Sequence, residues 1–225
     1  AATAAGARLL LGTKAHKVRT GSGALAVETE AGSPGAAGSP ADDPRQSRVI
    51  VCDHVWSTIP VGALARIADP AAPPQALEAA RGLEQRAMVL VYLVLEQDHF
   101  TAYDAHYFPS PDVPFTRVSE PRNYSGRPAP EGHTVLCAEI PCAPSDAVWS
   151  ADPAALGGLV TEGLARAGLP VTSPVVDVVV RRLPAAYPLY RVGWEERFAA
   201  VDALASSRPV VLTFCMQFLF SHDNT

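Results

Sequence analysis

The chain has 225 residues, 48% hydrophobic and 18% charged, with 21 prolines and a formal charge of −5 from 18 basic and 23 acidic side chains. That length suits one large domain or two small ones and can bury a real core. A mildly acidic chain without basic runs is a poor partner for nucleic acid or an anionic membrane surface. Its longest apolar stretch, Ala87–Leu95, is far too short to span a bilayer.

Arg8–Leu11, Ala15–Thr20 and Ala24–Glu30 read as three short strands. In the third, Leu25, Val27 and Thr29 alternate with Ala26, Glu28 and Glu30, the period-2 pattern of a half-buried strand. Thr20-Gly21-Ser22-Gly23 between the last two is a hairpin turn, because glycine supplies the positive φ such turns demand. It lacks a third glycine and no helix follows, so it is not a dinucleotide loop. Ala31–Ser47 is low in complexity, rich in Gly, Ser, Pro and Ala, and reads as a surface loop.

The continuous apolar run in Arg48–Cys52 is expected to be a strand covered on both faces, as in a parallel sheet. Val55–Pro60 is another short strand, ended by its proline, with a short helix over Val61–Ile67. Pro70, Pro73 and Pro74 lead to a helix near Gln75–Arg81, with Gly82 as its stop. Ala87–Gln97 is dense in Val, Leu and Tyr and is the strongest strand of the chain. Tyr107–Phe108, Phe115–Ser119 and Thr134–Ile140 read as further strands of one sheet. Asp152–Ala167 has apolar residues at helical spacing, Asp152 as N-cap, Pro153 at the first helical position and Gly168 as terminator. Val175–Leu183 is a strand, Trp194–Leu204 a helix and Pro209–Phe214 a last buried strand. The fold class is α/β (α+β), without an internal repeat.

The four cysteines (Cys52, Cys137, Cys142 and Cys215) form no Cys-x-x-Cys pair, which fits reduced thiols in a soluble cytoplasmic protein. The six histidines are scattered singly without ligand spacing, so no metal site is expected. No Gly-x-Ser-x-Gly elbow, phosphate loop or His-Glu-x-x-His helix occurs, and no catalytic acid or base stands out. Three segments are less bland. Arg117 alternates with Phe115 and Val118 in mid-strand, where a long cation needs an anion or carboxylate; it either pairs with Glu120 or another surface acid, or faces a ligand. Tyr187 and Tyr190 flank Pro188 just after a strand, either lining a pocket or plugging a seam between layers. The terminal Phe214–Thr225 runs from a buried strand into a polar turn, the kind of place where open α/β sheets bind ligands.

In this order the segments resemble a flavoprotein of the glutathione-reductase-like superfamily, on the amine-oxidase, protoporphyrinogen-oxidase and UDP-galactopyranose-mutase branch. Val49–Pro60 resembles the A-D-x-V-(I/L)-S-T-(I/V)-P return into the FAD domain, and Phe115–Arg122 the W-T-R-I-x-E-x-K segment of the mutases. Ala186–Tyr190 with Thr213–Thr225 resembles the Y-Y-P-V segment and the closing flavin segment. The resemblance implies FAD as cofactor and a small-molecule substrate, an acidic one if the mutase likeness holds. It implies that residues 1–66 and 208–225 are pieces of an FAD-binding domain around a mixed-sheet substrate domain at 67–207. Val18 would then contact the adenine, Asn224 and Thr225 the ribityl chain and flavin ring, and Arg117, Tyr187 and Tyr190 the substrate.

Two departures stand out. The Gly-x-Gly-x-x-Gly hairpin that cradles the FAD pyrophosphate is missing, and Cys215-Met216 stands where the family has Gly-Arg. The chain begins Ala1-Ala2-Thr3 without methionine and stops soon after an apolar strand. It is therefore expected to be an internal piece of a longer protein, one that does not retain FAD or work by itself. The leading expectation is an FAD-dependent oxidoreductase transferring a hydride from substrate to flavin. The rivals are a sugar-nucleotide mutase and a non-catalytic module descended from a flavoprotein.

Overall fold

A computed structural model of the chain describes residues 3–21, 24–31, 47–125, 130–207 and 211–213. The elements in chain order begin with β1 (Thr13–Arg19), β2 (Ala26–Ala31), β3 (Arg48–Val51) and β4 (Val55–Ser57). Next come α1 (Val61–Ile67), β5 (Ala68–Asp69), α2 (Pro74–Arg81), β6 (Gln85–Leu95), β7 (Ala105–Tyr107) and β8 (Arg117–Ser119). The chain continues through β9 (Thr134–Cys142), α3 (Ala147–Ser150), α4 (Pro153–Arg166), β10 (Val175–Pro188), α5 (Trp194–Ser206) and β11 (Val211–Thr213). Two compact units result: residues 1–84 with 188–225, and residues 85–187. Among the described residues, no helix is long and apolar enough to cross a membrane.

The second unit is a sheet of order β10-β6-β9-β8-β7. Strand β6 alternates nearly perfectly: Val89, Val91, Leu93 and Leu95 are wholly buried, while Leu90, Tyr92 and Val94 are half-buried. The antiparallel register sets Val91 opposite Ala138 on β9, and Ala138 opposite Val118 on β8, so one face is apolar across three strands. Helix α4 covers that face with Leu156, Val160 and Leu164, all fully buried, and Phe115 completes the same core. Its start is local chemistry: the Asp152 carboxylate accepts from the Ala155 amide at 2.9 Å, and Pro153 fills the first position. Gly168, at φ +79°, follows its end. Inside the helix, Gly163 lies so close to Phe115 that a Cβ there would sit 2.6 Å from the ring.

The first unit holds a sheet of order β3-β2-β1-β5 and a parallel pair, β4 with β11. Strands β1 and β2 pair antiparallel as expected, with Val18 opposite Val27 and Arg19 opposite Ala26, while Ser22 and Gly23 of the expected turn lie outside the described residues. Helices α1, α2 and α5 bring Leu64, Ala65, Ala80 and Val201 together with Val18 and Val211. Gly82 ends α2 by donating to the carbonyls of Glu78 and Ala79. Arg197 of α5 crosses over it and donates to its carbonyl at 3.2 Å.

Two expected strands are corrected. Arg8–Leu11 is irregular, with Leu9 and Leu11 exposed; among the described residues it has no partner strand to make a ladder. Strand β3 forms where expected, but it is the antiparallel edge partner of β2, and Val49 and Val51 are 58% and 65% exposed. A continuous apolar run signals burial only if layers cover both faces, and the described residues supply no such cover. Strand β10 also runs five residues past its expected end at Leu183, taking in Tyr187 and Pro188. The Ala31–Ser47 loop falls largely, and the closing Phe214–Thr225 segment wholly, outside the described residues.

Candidate substrate-facing site

The face of the second sheet away from α4 carries its polar chemistry. Because side chains alternate, the register that aligns Val91, Ala138 and Val118 on one face aligns their neighbours on the other. Tyr107, Arg117, Glu139 and Leu90 thus form one row across β7, β8, β9 and β6, and Ala105, Ser119, Cys137 and Tyr92 form the next.

Arg117 is the anchor of the first row. Its Nε donates to Glu139 Oε1 at 2.9 Å, and its Nη2 donates to the same oxygen. The Glu139 side chain is only 11% exposed, against 38% for Arg117. The hydrogen bonds with Glu139, reinforced by one with Tyr107, push the guanidinium pKa above its ordinary value, so Arg117 is permanently charged. Tyr107 stands at the edge of the row, 72% exposed. In the second row Tyr92 and Cys137 are directly opposed, and burial pushes both their pKa values up. Cys137 is therefore a neutral thiol and no poised nucleophile.

Glu120 is not the partner of Arg117. It is 2% exposed and accepts from the amides of Phe100 and Thr101 at 2.9 and 3.0 Å and from the Thr134 hydroxyl at 2.6 Å. Asn123 extends the clasp, donating to the carbonyls of Thr101 and Tyr103 at 3.1 and 2.9 Å. This carboxylate ties the loop after β6 to the end of β8, a structural task.

The other expected site residues are scattered. Tyr187 lies half-buried on β10, three strands from Arg117 in the sheet order and toward the Gln85 end of β6, whereas the Arg117 row crosses β6 at Leu90. Tyr190 belongs to the first unit, 42% exposed, its ring 4.9 Å from that of Trp194. Val18 is buried at 5% between β2 and β5, opposite Val27 and Ala68, with its side chain among Val61, Leu64 and Val211. Asn224 and Thr225 lie outside the described residues. Sequence reading missed Glu139, Tyr107, Tyr92 and Cys137. Glu139 was within reach, since a lone acid inside the apolar run Val135–Ile140 raises the same question as Arg117 in its strand.

The first unit offers one concavity relevant to a cofactor, a cleft of about 360 Å3 lined by Thr20, Gly21, Leu25, Val51, Cys52 and Asp53 among others. Its lining suits an uncharged planar group. It contains an acid and no cation, which disfavours a diphosphate. The lining of this cleft thus fits the nucleoside end of FAD and contains no cation for its phosphates.

The fold has known counterparts. Reduced UDP-galactopyranose mutase superposes with a TM-score of 0.63 at 17% identity, over 89% of this chain and 40% of that one. A putative protoporphyrinogen oxidase from Exiguobacterium sp. 255-15 gives 0.57 at 17% identity, over 92% and 42%. Putrescine oxidase bound to putrescine gives 0.57 at 14%, over 93% and 45%. The chain therefore spans less than half the length of these structures. No curated protein matches it in sequence. The model of the family described as flavin-containing amine oxidoreductase matches residues 1–207, and on that extent the chain belongs to this family.

Proposed function

We propose that this chain carries the substrate-binding sheet of a cytoplasmic FAD-dependent oxidoreductase of amine-oxidase or protoporphyrinogen-oxidase type. The family is flavin-containing, and FAD is its cofactor. The flavin, when bound, supplies the redox chemistry as hydride acceptor, and the chain supplies binding and orientation. In this reading residues 1–66 and 208–225 contribute to the FAD-binding domain. Residues 67–207 form the substrate domain, with Arg117 and Tyr187 of its sheet toward the substrate.

The observation that carries the proposal is the two-faced sheet of the second unit. One face is sealed by α4, while the other presents a register-aligned row of Tyr107, Arg117 and Glu139. A folded sheet that places a fixed ion pair and tyrosines on one face has the form of a recognition surface. The mutase alternative asks Arg117 to grip a diphosphate. That is weakened by Glu139, which already holds the guanidinium through two of its N–H groups.

Protein expressed from its complete reading frame is expected to be yellow, with a flavin band near about 450 nm that bleaches when an oxidisable substrate is added without oxygen. A colourless preparation that takes up no added FAD would overturn the proposal and leave the non-catalytic module. Restoring Gly-Arg at Cys215-Met216 then tells whether those two positions are responsible.

A further inference from the structure

We infer that Glu139 is a specificity-determining residue. By neutralising Arg117 it makes the substrate face select an uncharged group that accepts a hydrogen bond, and reject anions. The inference rests on the proposed substrate-facing role of this sheet and deepens it.

An arginine in mid-strand, 38% exposed and beside an exposed tyrosine, would by itself be a ready anion site. The register removes that option. Arg117 and Glu139 are directly opposed residues on adjacent strands, so the pairing is built into the backbone and does not depend on a flexible surface contact. Glu139 is further fixed because its own carbonyl accepts from the Thr116 amide at 3.0 Å. The carboxylate is nine-tenths buried and takes both Nε and Nη2 on one oxygen, so the pair carries no net charge. Of the groups around it, Tyr92 and Cys137 are held neutral by burial, and the further cation near Tyr92 is Arg181 of β10, which lies outside the Arg117 row. An incoming anion would meet a guanidinium whose charge is already compensated and a carboxylate that repels it. A carbonyl or hydroxyl oxygen would still find the guanidinium N–H groups that Glu139 does not use, since Arg has five donors. The same logic makes Glu139, in place of Arg117 alone, the residue that decides between neutral and anionic ligands.

The test uses inorganic pyrophosphate as probe and the protein from its complete reading frame, followed by titration calorimetry. The wild type is expected to show no saturable binding in the millimolar range. Glu139→Gln, which keeps shape but frees the cation, is expected to gain at least about ten-fold in affinity, and the gain is expected to vanish in Glu139→Gln/Arg117→Met. Sub-millimolar binding by the wild type that is lost in Arg117→Met overturns the inference. So does a Glu139→Gln gain that survives removal of Arg117. The wild-type and Arg117→Met titrations decide the matter even if Glu139→Gln does not fold. Absence of the flavin band would sink the oxidoreductase proposal while leaving these titrations unaffected, so the two failures are distinguishable.

Discussion

The two compact units use similar strands to different effect. In the second unit, β6 and β9 pair over nine residues, Val89, Val91 and Leu93 meet Ile140, Ala138 and Leu136 on one face, and α4 closes that face. In the first, β3 and β4 are apolar too, yet Val49, Val51 and Trp56 stand 58%, 65% and 69% exposed. The difference is cover, not composition. A strand of valines is a core only where a second layer lies over it, and the second unit contains its own second layer.

That contrast can be broken by mutation. The largest effect is expected at Leu136→Ala, which removes a side chain 1% exposed from the centre of the second core. Chemical denaturation should show a loss of about 3–4 kcal/mol. A loss below about 1 kcal/mol would mean that this core is not the stable part of the molecule.

Glu120→Ala comes next. It leaves two amides and the Thr134 hydroxyl without their shared acceptor, and about 3 kcal/mol should be lost. Amide hydrogen exchange should also rise at Phe100 and Thr101 first. Unchanged exchange there would contradict the clasp.

Within α4, Gly163→Ala should cost about 2 kcal/mol, because the new methyl meets the Phe115 ring and the Pro114 side chain. Gly158→Ala meets nothing within 4 Å and should instead stabilise by about 0.5 kcal/mol through helix propensity. Equal effects at the two glycines would argue against the packing of α4 described above.

The smallest effect belongs to the first unit. Val51→Thr on the exposed edge strand should change stability by less than about 0.5 kcal/mol. A loss comparable to that of Leu136→Ala would show that β3 is covered in the intact protein, and the contrast between the units would narrow.

How much was legible in advance follows the range of the forces involved. The caps of α4 at Asp152, Pro153 and Gly168 are set by residues within a few positions, and they form as read. The alternation of β6 and the positions of α1, α2, β7, β8 and β9 were likewise legible, since a period-2 or helical pattern states which face must be buried. Arg8–Leu11 misled because apolar content alone does not provide a partner strand.

The site divides in the same way. The sequence by itself determined that a charged Arg117 in mid-strand needed an anion, because burying a cation without one is costly. It could not choose the anion. Glu120 is three residues away and Glu139 is 22 residues away, and proximity in the chain favours the wrong one. Strand alternation turns Arg117 and Glu120 to opposite faces, and the β8–β9 register brings Glu139 directly beside the guanidinium. Local pattern thus determined where strands and helices form and that a charge had to be compensated. Only the tertiary pairing of strands decided which carboxylate clasps a loop, which one neutralises Arg117, and which apolar strand is left without a cover.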